Sequence, residues 1–434
     1  MKKIVISALL LLFTVVNAQQ STLQVLGKNL TTTSGQNVIL RGINYPIIDD
    51  GSISLSNITQ YRHKIDEAAK TGANAIRLPW YTDGTHWRDV QTAGTIDGYI
   101  SNGHLSDLLG YCHTKGMIPI LEIHNLTCSN NWNGFNQIAM SWWKSQAVLD
   151  LIETHKAYLI INLANEFGQA RWTGNTTAGL NVFKTNYNTA VADLRALGVA
   201  VPIMIDAPDC GQSSTELLSI AESMVNSDPF HNLIFSAHAY WFGYATTTVA
   251  IQAKLDEAQN TNACFILGEV ASTQDNNGCG DLSLTAIYPI ILQEACARNI
   301  GWLAWTFDQD CSSPREMTSN GEFANLTTYG NDLVNNAIYG LKSVGGCGAS
   351  LLALEKFSKD TTNFVISPNP VQRSFGISES DKIAKAVIYD LSGREMQAYN
   401  RDFNEIDVSS LAAGNYIIRL ETASETYFKK FLKN

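Results

Sequence analysis

Eight short apolar segments, separated by stretches of helical periodicity, limit this 434-residue chain to a small number of folds. The segments are rich in Val, Ile and Leu, as expected of parallel strands that are buried on both faces. Several intervening stretches end in glycine (Gly72, Gly116, Gly198), which suits a helix C-cap. The predicted strands are VILRGIN (38–44), NAIRLPW (74–80), MIPILEIH (117–124), YLIINLANE (158–166), PIMIDA (202–207), LIFSAHAY (233–240), FILGE (265–269) and GWLAWTF (301–307).

This alternation predicts an α/β fold, a (β/α)₈ TIM barrel over residues 21–343, followed by a small C-terminal all-β sandwich. A doubly wound open sheet is the alternative, but no Gly-rich phosphate-binding turn follows the first strand. The pattern breaks after residue 343, so residues 344–360 are predicted to be a linker. Residues 361–434 show short alternating runs, with tight turns predicted at Ser392-Gly393 and Ala413-Gly414.

The first 18 residues are predicted to be a secretory signal peptide, because Lys2 and Lys3 precede an apolar run that ends near Ala18. Export would favour disulfides among the eight cysteines over free thiols, and the predicted pair is Cys279–Cys311. The absence of any CxxC motif argues against a zinc site. The net charge of −10, without a Lys/Arg-rich run, argues against a nucleic-acid partner.

Polar and aromatic residues close most of the apolar runs, where the active site of such a barrel lies. Arg77 is predicted to close the second run, His124 the third, Asn165 and Glu166 the fourth, His238 and Tyr240 the sixth, Glu269 the seventh and Trp305 the eighth. Two of them, Glu166 and Glu269, predict a pair of carboxyl groups, as retaining hydrolysis of a glycosidic bond requires. Taken singly, each glutamate is more often a salt-bridge partner, and each histidine is as often structural. The predicted site residues are Arg77, His124, Asn165, Glu166, His238, Tyr240, Glu269 and Trp305.

Seven motifs in the same order resemble the glycoside hydrolases of family 5, over residues 23–343. The resemblance implies that Glu166 in NLANEF is the acid/base and that Glu269 in ILGE is the nucleophile. It also implies that Asn165 binds the substrate 2-hydroxyl and that Arg77 and Tyr240 lie beside the nucleophile. The motifs are RGIN, NAIRLPW, EIHN, NLANEF, AHAYW, ILGE and GWLAWTF.

The chemistry of the other residues is consistent with these roles. Arg77 is a permanent cation that would keep Glu269 ionised, and its structural alternative is an ion pair inside the barrel mouth. His124 and His238 would donate to sugar hydroxyls or to the glutamates. Trp305 would form the floor of the subsite for the attacked sugar, whereas Trp302 is predicted to be core. No metal or organic cofactor is required.

The predicted substrate is a β-1,4-linked plant polysaccharide that binds in a long cleft and is cleaved internally. Trp80, Trp132, Trp172 and Trp241 are predicted in loops after strands, where about half would stack on sugars and half would only pack. The sequences of the motifs resemble those of the β-1,4-mannanases of the family, which favours β-1,4-mannan over cellulose as the substrate. However, EIHNLTC lacks the acidic residue expected after the histidine, and DAPDCGQ has no Trp. A barrel that binds polysaccharide without cleaving it is a further alternative.

The C-terminal segment resembles the sorting domain of the bacterial type IX secretion system through SPNP, IYDLSGRE, IDVSSLAAGNYIIRL and YFKKFLKN. The resemblance implies a secreted or cell-surface protein whose partners are the type IX machinery and its polysaccharide, and we expect a monomer. An ordinary β-sandwich spacer and a carbohydrate-binding module are the alternatives. The absence of Trp from residues 361–434 argues against the binding module.

Overall fold

The computed structural model describes residues 22–47, 57–82, 98–343, 364–389, 395–422 and 426–434. The chain divides into two compact units at residue 351. The predicted signal peptide (1–18) and linker (344–360) lie outside the described residues. Within the described ranges, no helix has the length and apolar character needed to cross a membrane.

The first unit begins with a small antiparallel sheet of three strands, β1 (Gln24–Leu26), β2 (Asn29–Thr31) and β3 (Asn37–Val38). The backbone N–H of Val25 donates to the side chain of Asn232 (2.9 Å), one residue before a barrel strand begins. This contact places the small sheet at the N-terminal end of the barrel, opposite the mouth.

Eight parallel strands form a closed barrel: β4 (Arg41–Asn44), β5 (Ala75–Trp80), β6 (Ile118–Ile123), β7 (Ile160–Asn162), β8 (Ile203–Asp206), β9 (Leu233–His238), β10 (Cys264–Val270) and β13 (Gly301–Ala304). Around the barrel, neighbouring strands follow the order β10-β13-β4-β5-β6-β7-β8-β9. A short antiparallel hairpin, β11 (Thr273–Gln274) with β12 (Leu282–Ser283), lies between β10 and β13 in the chain.

The longer helices of the unit pack around the barrel. Several begin with a side-chain cap, as at Asn175, whose amide oxygen accepts from the N–H of Ala178. The three glycines predicted at helix ends all have positive φ angles, between 81° and 88°. The helices are α1 (Ile58–Ala69), α2 (His104–Thr114), α3 (Gln146–His155), α4 (Thr176–Ala196), α5 (Ser214–Ser227), α6 (Thr248–Asn260), α7 (Tyr288–Ala297) and α8 (Thr328–Asn335).

The prediction of eight barrel strands is confirmed, but the strand ends differ from the sequence pattern. The fourth strand stops at Asn162, so the segment that carries Glu166 leaves the ladder four residues earlier than expected. The second strand continues to Trp80, so the prediction that Arg77 closes it is wrong. Trp80 therefore belongs to a strand and not, as predicted, to a loop.

Side chains in the barrel strands divide between two environments. Apolar residues such as Ile43, Ile76 and Leu78 are fully buried in the main core. Residues that alternate with them, including Asn44 and Arg77, point into the barrel and hydrogen-bond to each other. This alternation concentrates polar groups inside the mouth and leaves the helix-facing surface apolar.

The second unit consists of two antiparallel sheets that share one apolar core, which includes Phe375, Ile388 and Ile418. The predicted all-β sandwich is therefore confirmed for the described residues. Gly414 opens a strand, and the predicted turn at Ser392-Gly393 lies outside the described residues. The strands are β14 (Ile366–Ser367), β15 (Ser374–Ile377), β16 (Ile383–Tyr389), β17 (Glu395–Tyr399), β18 (Ile406–Asp407), β19 (Gly414–Thr422) and β20 (Thr426–Lys433).

Candidate active site

The side chains predicted to form the site meet at the C-terminal mouth of the barrel. Trp305 is partly exposed, and the other seven are buried. They come from β5, from the residues after β6 and β7, from β9 and its following loop, from β10, and from the residue after β13. Because the strands are parallel, residues far apart in sequence reach the same end of the barrel.

Glu269 is held by two strong donors. Arg77 donates from Nη1 to Oε1 (2.9 Å), and the Tyr240 hydroxyl donates to Oε2 (2.6 Å). Only 3% of Glu269 is exposed to solvent. Both donors therefore orient a carboxylate that water barely reaches.

Arg77 is the central cation of the site and is itself fully buried. Burial alone would lower the pKa of the guanidinium, but Glu122, Asp206 and Glu269 outweigh it and raise the pKa. Arg77 is therefore charged at every working pH, and its planar donor array ties several strands to Glu269. Besides Glu269, its hydrogen-bond acceptors are Asn44 (3.0 Å), Asn162 (2.9 Å), Asn165 (2.7 Å) and Asp206 (3.2 Å).

Glu166 has different surroundings. Its backbone is left-handed (φ 48°), and its N–H donates to Asp206 Oδ2 (3.2 Å). Oε1 lies 2.8 Å from His238 Nδ1, and Oε2 lies 3.3 Å from Cys128 Sγ. Burial raises the pKa of Glu166; the hydrogen bond from His238 opposes this shift, and the charge of Glu269 adds to it. The environment therefore favours the protonated acid.

The two carboxyl groups are close enough to act on one bond. One side-chain atom from each of Glu166, His238 and Glu269 lies within 4.8 Å of the others. Retaining glycosidases have carboxyl groups about 5 to 5.5 Å apart, whereas inverting enzymes need about 6.5 to 9.5 Å to admit a water molecule. The arrangement therefore matches a retaining pair.

His238 lies between Glu166 and a buried anion, Asp206. Its Nε2 lies 3.5 Å from Asp206 Oδ2, while Nδ1 faces both glutamates. Burial alone would lower the pKa of His238, but Glu269 and Asp206 raise it to about 10. At neutral pH the ring is an imidazolium, so both nitrogens carry a proton. A Cβ at position 268 would lie 2.2 Å from Ser236 Oγ and 3.1 Å from His238 Nε2, so Gly268 makes room for the ring.

His124, Asn165 and Trp305 form a second cluster at the mouth. The His124 ring stacks on Trp305 at 5.7 Å, and its Nδ1 lies 3.0 Å from Glu122 Oε2. The Asn165 amide oxygen accepts from Arg77, and its Nδ2 donates to Thr127 Oγ1 (3.0 Å). The Trp305 indole N–H donates to Asp310 (2.7 Å), which fixes the ring plane.

Several residues of the network were not predicted. Asp206 lies between Arg77 and His238, and the same pair of charges holds its pKa at about 2, although burial alone would raise it. The strand PIMIDA does carry Asp206 near its end, so the strand-end criterion would have found it. The inward polar residues Asn44 and Asn162 show a weaker signal, as single amides within apolar strands.

The predicted disulfide Cys279–Cys311 is present. A second disulfide, Cys128–Cys210, joins two loops of the mouth and was not predicted. Cys296 is also disulfide-bonded, and Cys347 lies outside the described residues. The remaining two cysteines are buried free thiols, Cys112 and Cys264.

Three of the four tryptophans predicted in loops pack against other side chains and one is exposed, whereas about half were predicted to face the substrate. Trp80 and Trp241 are fully buried, and Trp132 packs edge-on against Phe167. Trp172 is 52% exposed in the loop after β7. Trp302 is fully buried, which confirms its prediction as a core residue.

A family model described as cellulase (glycosyl hydrolase family 5) matches residues 31–310, which include the whole mouth. The chain belongs to glycosyl hydrolase family 5. The predicted membership of glycoside hydrolase family 5 is therefore confirmed. A second model, a secretion system C-terminal sorting domain, matches residues 365–434 and confirms the predicted sorting domain of a secreted or cell-surface bacterial protein.

Relatives of this family 5 chain include two mannan endo-1,4-beta-mannosidases. The one from Cellvibrio japonicus (strain Ueda107) is 26% identical over 318 residues, which cover 71% of this chain and 65% of that protein. The one from Salipaludibacillus agaradhaerens is 24% identical over 320 residues, which cover 72% of this chain and 90% of that protein.

Among solved structures, the barrel resembles the β-mannanase of Thermomonospora fusca in its mannotriose complex. The TM-score is 0.58 at 21% identity, and the match covers 76% of this chain and 97% of that one. At this identity the likeness concerns the fold, and it agrees with the closed barrel described above.

Proposed function

We propose that the protein is an exported, endo-acting retaining β-1,4-glycanase with β-1,4-mannan as its favoured substrate. The observation that carries this proposal is the pair of buried carboxyl groups, Glu166 and Glu269, at a separation that suits retention. Their surroundings favour opposite protonation states, because Glu269 accepts from Arg77 and Glu166 is raised in pKa by burial.

In the first step, the Glu269 carboxylate attacks the anomeric carbon while Glu166 gives its proton to the departing glycosidic oxygen. Bond formation to the sugar removes the charge of Glu269, which had raised the pKa of Glu166. Glu166 then acts as a base toward water, and the hydroxide released to the anomeric carbon frees Glu269.

The surrounding residues position the sugar in this proposal. Asn165 is oriented by Arg77 so that its Nδ2 donates to the 2-hydroxyl. Trp305, stacked with His124, supplies an aromatic face for the apolar side of the pyranose ring. Trp172, exposed after β7, offers a second aromatic face.

Mannan is placed ahead of cellulose because both relatives described above are named mannan endo-1,4-beta-mannosidases. The decisive experiment compares initial rates on galactomannan and carboxymethylcellulose with one purified preparation. We expect the higher rate on galactomannan; the reverse order would make the protein a cellulase. Hydrolysis of neither substrate would reject the enzymatic proposal.

The stereochemistry needs a separate measurement. We expect ¹H NMR to show the β-anomer as the first product of oligosaccharide cleavage, before mutarotation. An α-anomer formed first would mean inversion, in which case Glu269 would not be a nucleophile.

A non-catalytic polysaccharide-binding barrel is the competing proposal. Glu269→Gln keeps the size of the side chain but removes the nucleophile. We expect this variant to lose hydrolysis of galactomannan while still binding it in affinity electrophoresis. A wild-type protein that binds galactomannan without releasing reducing ends would support the binding barrel instead.

The sorting domain leads us to propose the type IX secretion machinery as a partner, with the catalytic unit acting as a monomer. Deletion of residues 361–434 should leave the protein inside a bacterium that has this system. Light scattering of the purified protein tests the oligomeric state.

A further inference from the structure

The Cys128–Cys210 disulfide lies directly beside Glu166. It joins the loop after β6 to the loop after β8, and its Cα atoms are 4.5 Å apart. Both sulfur atoms and one Glu166 oxygen lie within 4.8 Å of one another. The two loops are those in which EIHNLTC and DAPDCGQ depart from the mannanase pattern, so a single covalent bond connects the two departures.

Backbone hydrogen bonds extend this connection across three consecutive loops. The N–H of Gly168 donates to Ser129 O (2.8 Å), and the N–H of Asp209 donates to Gly168 O (2.9 Å). A Cβ at position 211 would lie 2.8 Å from His238 Cγ, and Gly211 has a φ of 74°. The loop that follows Cys210 therefore also packs against the imidazole that contacts Glu166.

The two oxygens of Glu166 face different chemistry. Oε1 lies 2.8 Å from the imidazolium nitrogen of His238, which is a donor. Oε2 lies 3.3 Å from Cys128 Sγ, and a disulfide sulfur has no proton to donate and accepts only weakly. The acidic proton of Glu166 is therefore expected on Oε2, where the sulfur does not compete with the substrate for it.

The charged and titratable groups that face Glu166 come from every side of the mouth. His238 opposes the burial-driven rise in its pKa, Glu269 adds to it, and His124 opposes it. Asp206 accepts the Glu166 backbone N–H, and Arg77 and Tyr240 both donate to Glu269. The disulfide adds a neighbour of Glu166 that does not titrate.

We propose that the Cys128–Cys210 disulfide is a positioning element for the acid/base, which fixes Glu166 and shields its protonated oxygen from water. This inference rests on the proposed function, because it concerns proton transfer from Glu166 to the leaving oxygen. Without the bridge, water reaches the Glu166 carboxyl and lowers its pKa. The alkaline limb of the pH profile of kcat/KM then moves to lower pH, because Glu166 must be protonated to act as the acid.

The test compares C128A/C210A with C279A/C311A, a control that removes the other described disulfide. For mannohexaose at neutral pH, we expect C128A/C210A to lose about tenfold in kcat/KM, with the alkaline limb lowered by about one pH unit. For 2,4-dinitrophenyl β-mannobioside, whose leaving group needs no proton, kcat/KM should change less than twofold. The control should retain the wild-type alkaline limb.

An unchanged alkaline limb in folded C128A/C210A, or an equal shift in the control, would overturn the proposal. Should C128A/C210A fail to fold, the variant C279A/C296A/C311A/C347A is reduced with phosphine and then reoxidised, because Cys128–Cys210 is then the only described disulfide left to break and restore. Reduction should shift the alkaline limb of its kcat/KM profile to lower pH, and reoxidation should restore it, while circular dichroism checks that the protein stays folded. A limb that does not shift on reduction would overturn the proposal. Wild-type activity on galactomannan is measured first, so its absence would count against the proposed function and not against the disulfide.

Discussion

Glu166 and Glu269 share one barrel mouth but lie in opposite surroundings. Glu269 accepts hydrogen bonds from a guanidinium and a phenol, one at each oxygen. Glu166 stands between an imidazolium on one side and a disulfide on the other, and burial raises its pKa. In the proposed mechanism, environment and not residue type therefore separates the nucleophile from the acid.

The largest effect is expected from removing either carboxyl group. Glu269→Ala and Glu166→Ala should each lower kcat on galactomannan by about 10⁴-fold or more. Azide should then distinguish the two halves of the mouth. With 2,4-dinitrophenyl β-mannobioside it should give a β-glycosyl azide in Glu166→Ala and an α-glycosyl azide in Glu269→Ala.

Glu322→Gln is the control for these variants, because Glu322 is partly exposed and pairs with His63 away from the mouth. It should keep wild-type rates. If azide gave the same anomer with both alanine variants, the assignment of separate roles to the two glutamates would be wrong.

Removal of the cation should have the next largest effect. We expect Arg77→Met to lower kcat/KM by about 10³-fold, because it leaves the nucleophile position without its charged donor. It should also cost about 3 to 5 kcal/mol of unfolding free energy, since it leaves buried anions unpaired. Denaturant unfolding and steady-state kinetics measure the two effects.

Arg195→Met is the matched control, because Arg195 forms a buried pair with Asp228 (2.9 Å) outside the mouth. It should lose similar stability and, while folded, keep kcat/KM within a few-fold of wild type. An equal activity loss in both variants would reduce Arg77 to a structural ion pair.

Asp206→Asn tests the buried anion behind the acid. The pKa of His238, about 10 in the wild type, should fall, and kcat/KM should drop by about 10²-fold. Titration of the His238 ring by NMR measures the first effect. An unchanged pKa would show that Asp206 does not sustain the imidazolium.

The same variant should show a pH-dependent loss of stability. A raised histidine pKa contributes stability that is complete below the unfolded value of 6.5 and is lost as the pH rises through about 10. The lowered pKa of Asp206 contributes above its unfolded value of 3.8 and is lost as the pH falls through about 2. The difference in unfolding free energy between Asp206→Asn and the wild type should therefore be largest between pH 3.8 and pH 6.5, and smaller at lower and at higher pH.

Tyr240→Phe should have the smallest effect of the series. It removes one hydrogen bond to Glu269 and should lower kcat by about tenfold. Tyr339→Phe is the control, because it removes a bond of the same length, 2.6 Å, from the Asp332 carboxylate. A loss of activity in both variants would point to a general effect of losing a buried hydroxyl.

Much of the site was predictable because each of its residues can be found from the short sequence segment around it. A polar residue at the end of an apolar run must lie at the barrel mouth once the strands are parallel, and this holds for His124, Glu166 and Glu269. The same rule missed Asp206 only because it was not applied to PIMIDA. It misplaced Arg77 because the following Leu78, Pro79 and Trp80 also belong to the strand.

Contacts between distant loops were not predictable in this way. Cys128 and Cys210 are 82 residues apart, and eight cysteines allow many pairings. Cys279–Cys311 was found because both cysteines follow late strands of the same mouth. The position of the Cys128–Cys210 disulfide depends on how three loops fold over Glu166, and the periodicity of the sequence does not predict loop conformation.

Local pattern and ordered motifs were sufficient to predict the order of strands and helices, the barrel, the sorting domain and the two glutamates. The groups that surround each glutamate follow from the packing of distant segments. Protonation depends on burial and on charges a few ångströms away, and these come from strands that are distant in the chain. The opposite surroundings of Glu166 and Glu269 are therefore a property of the folded mouth.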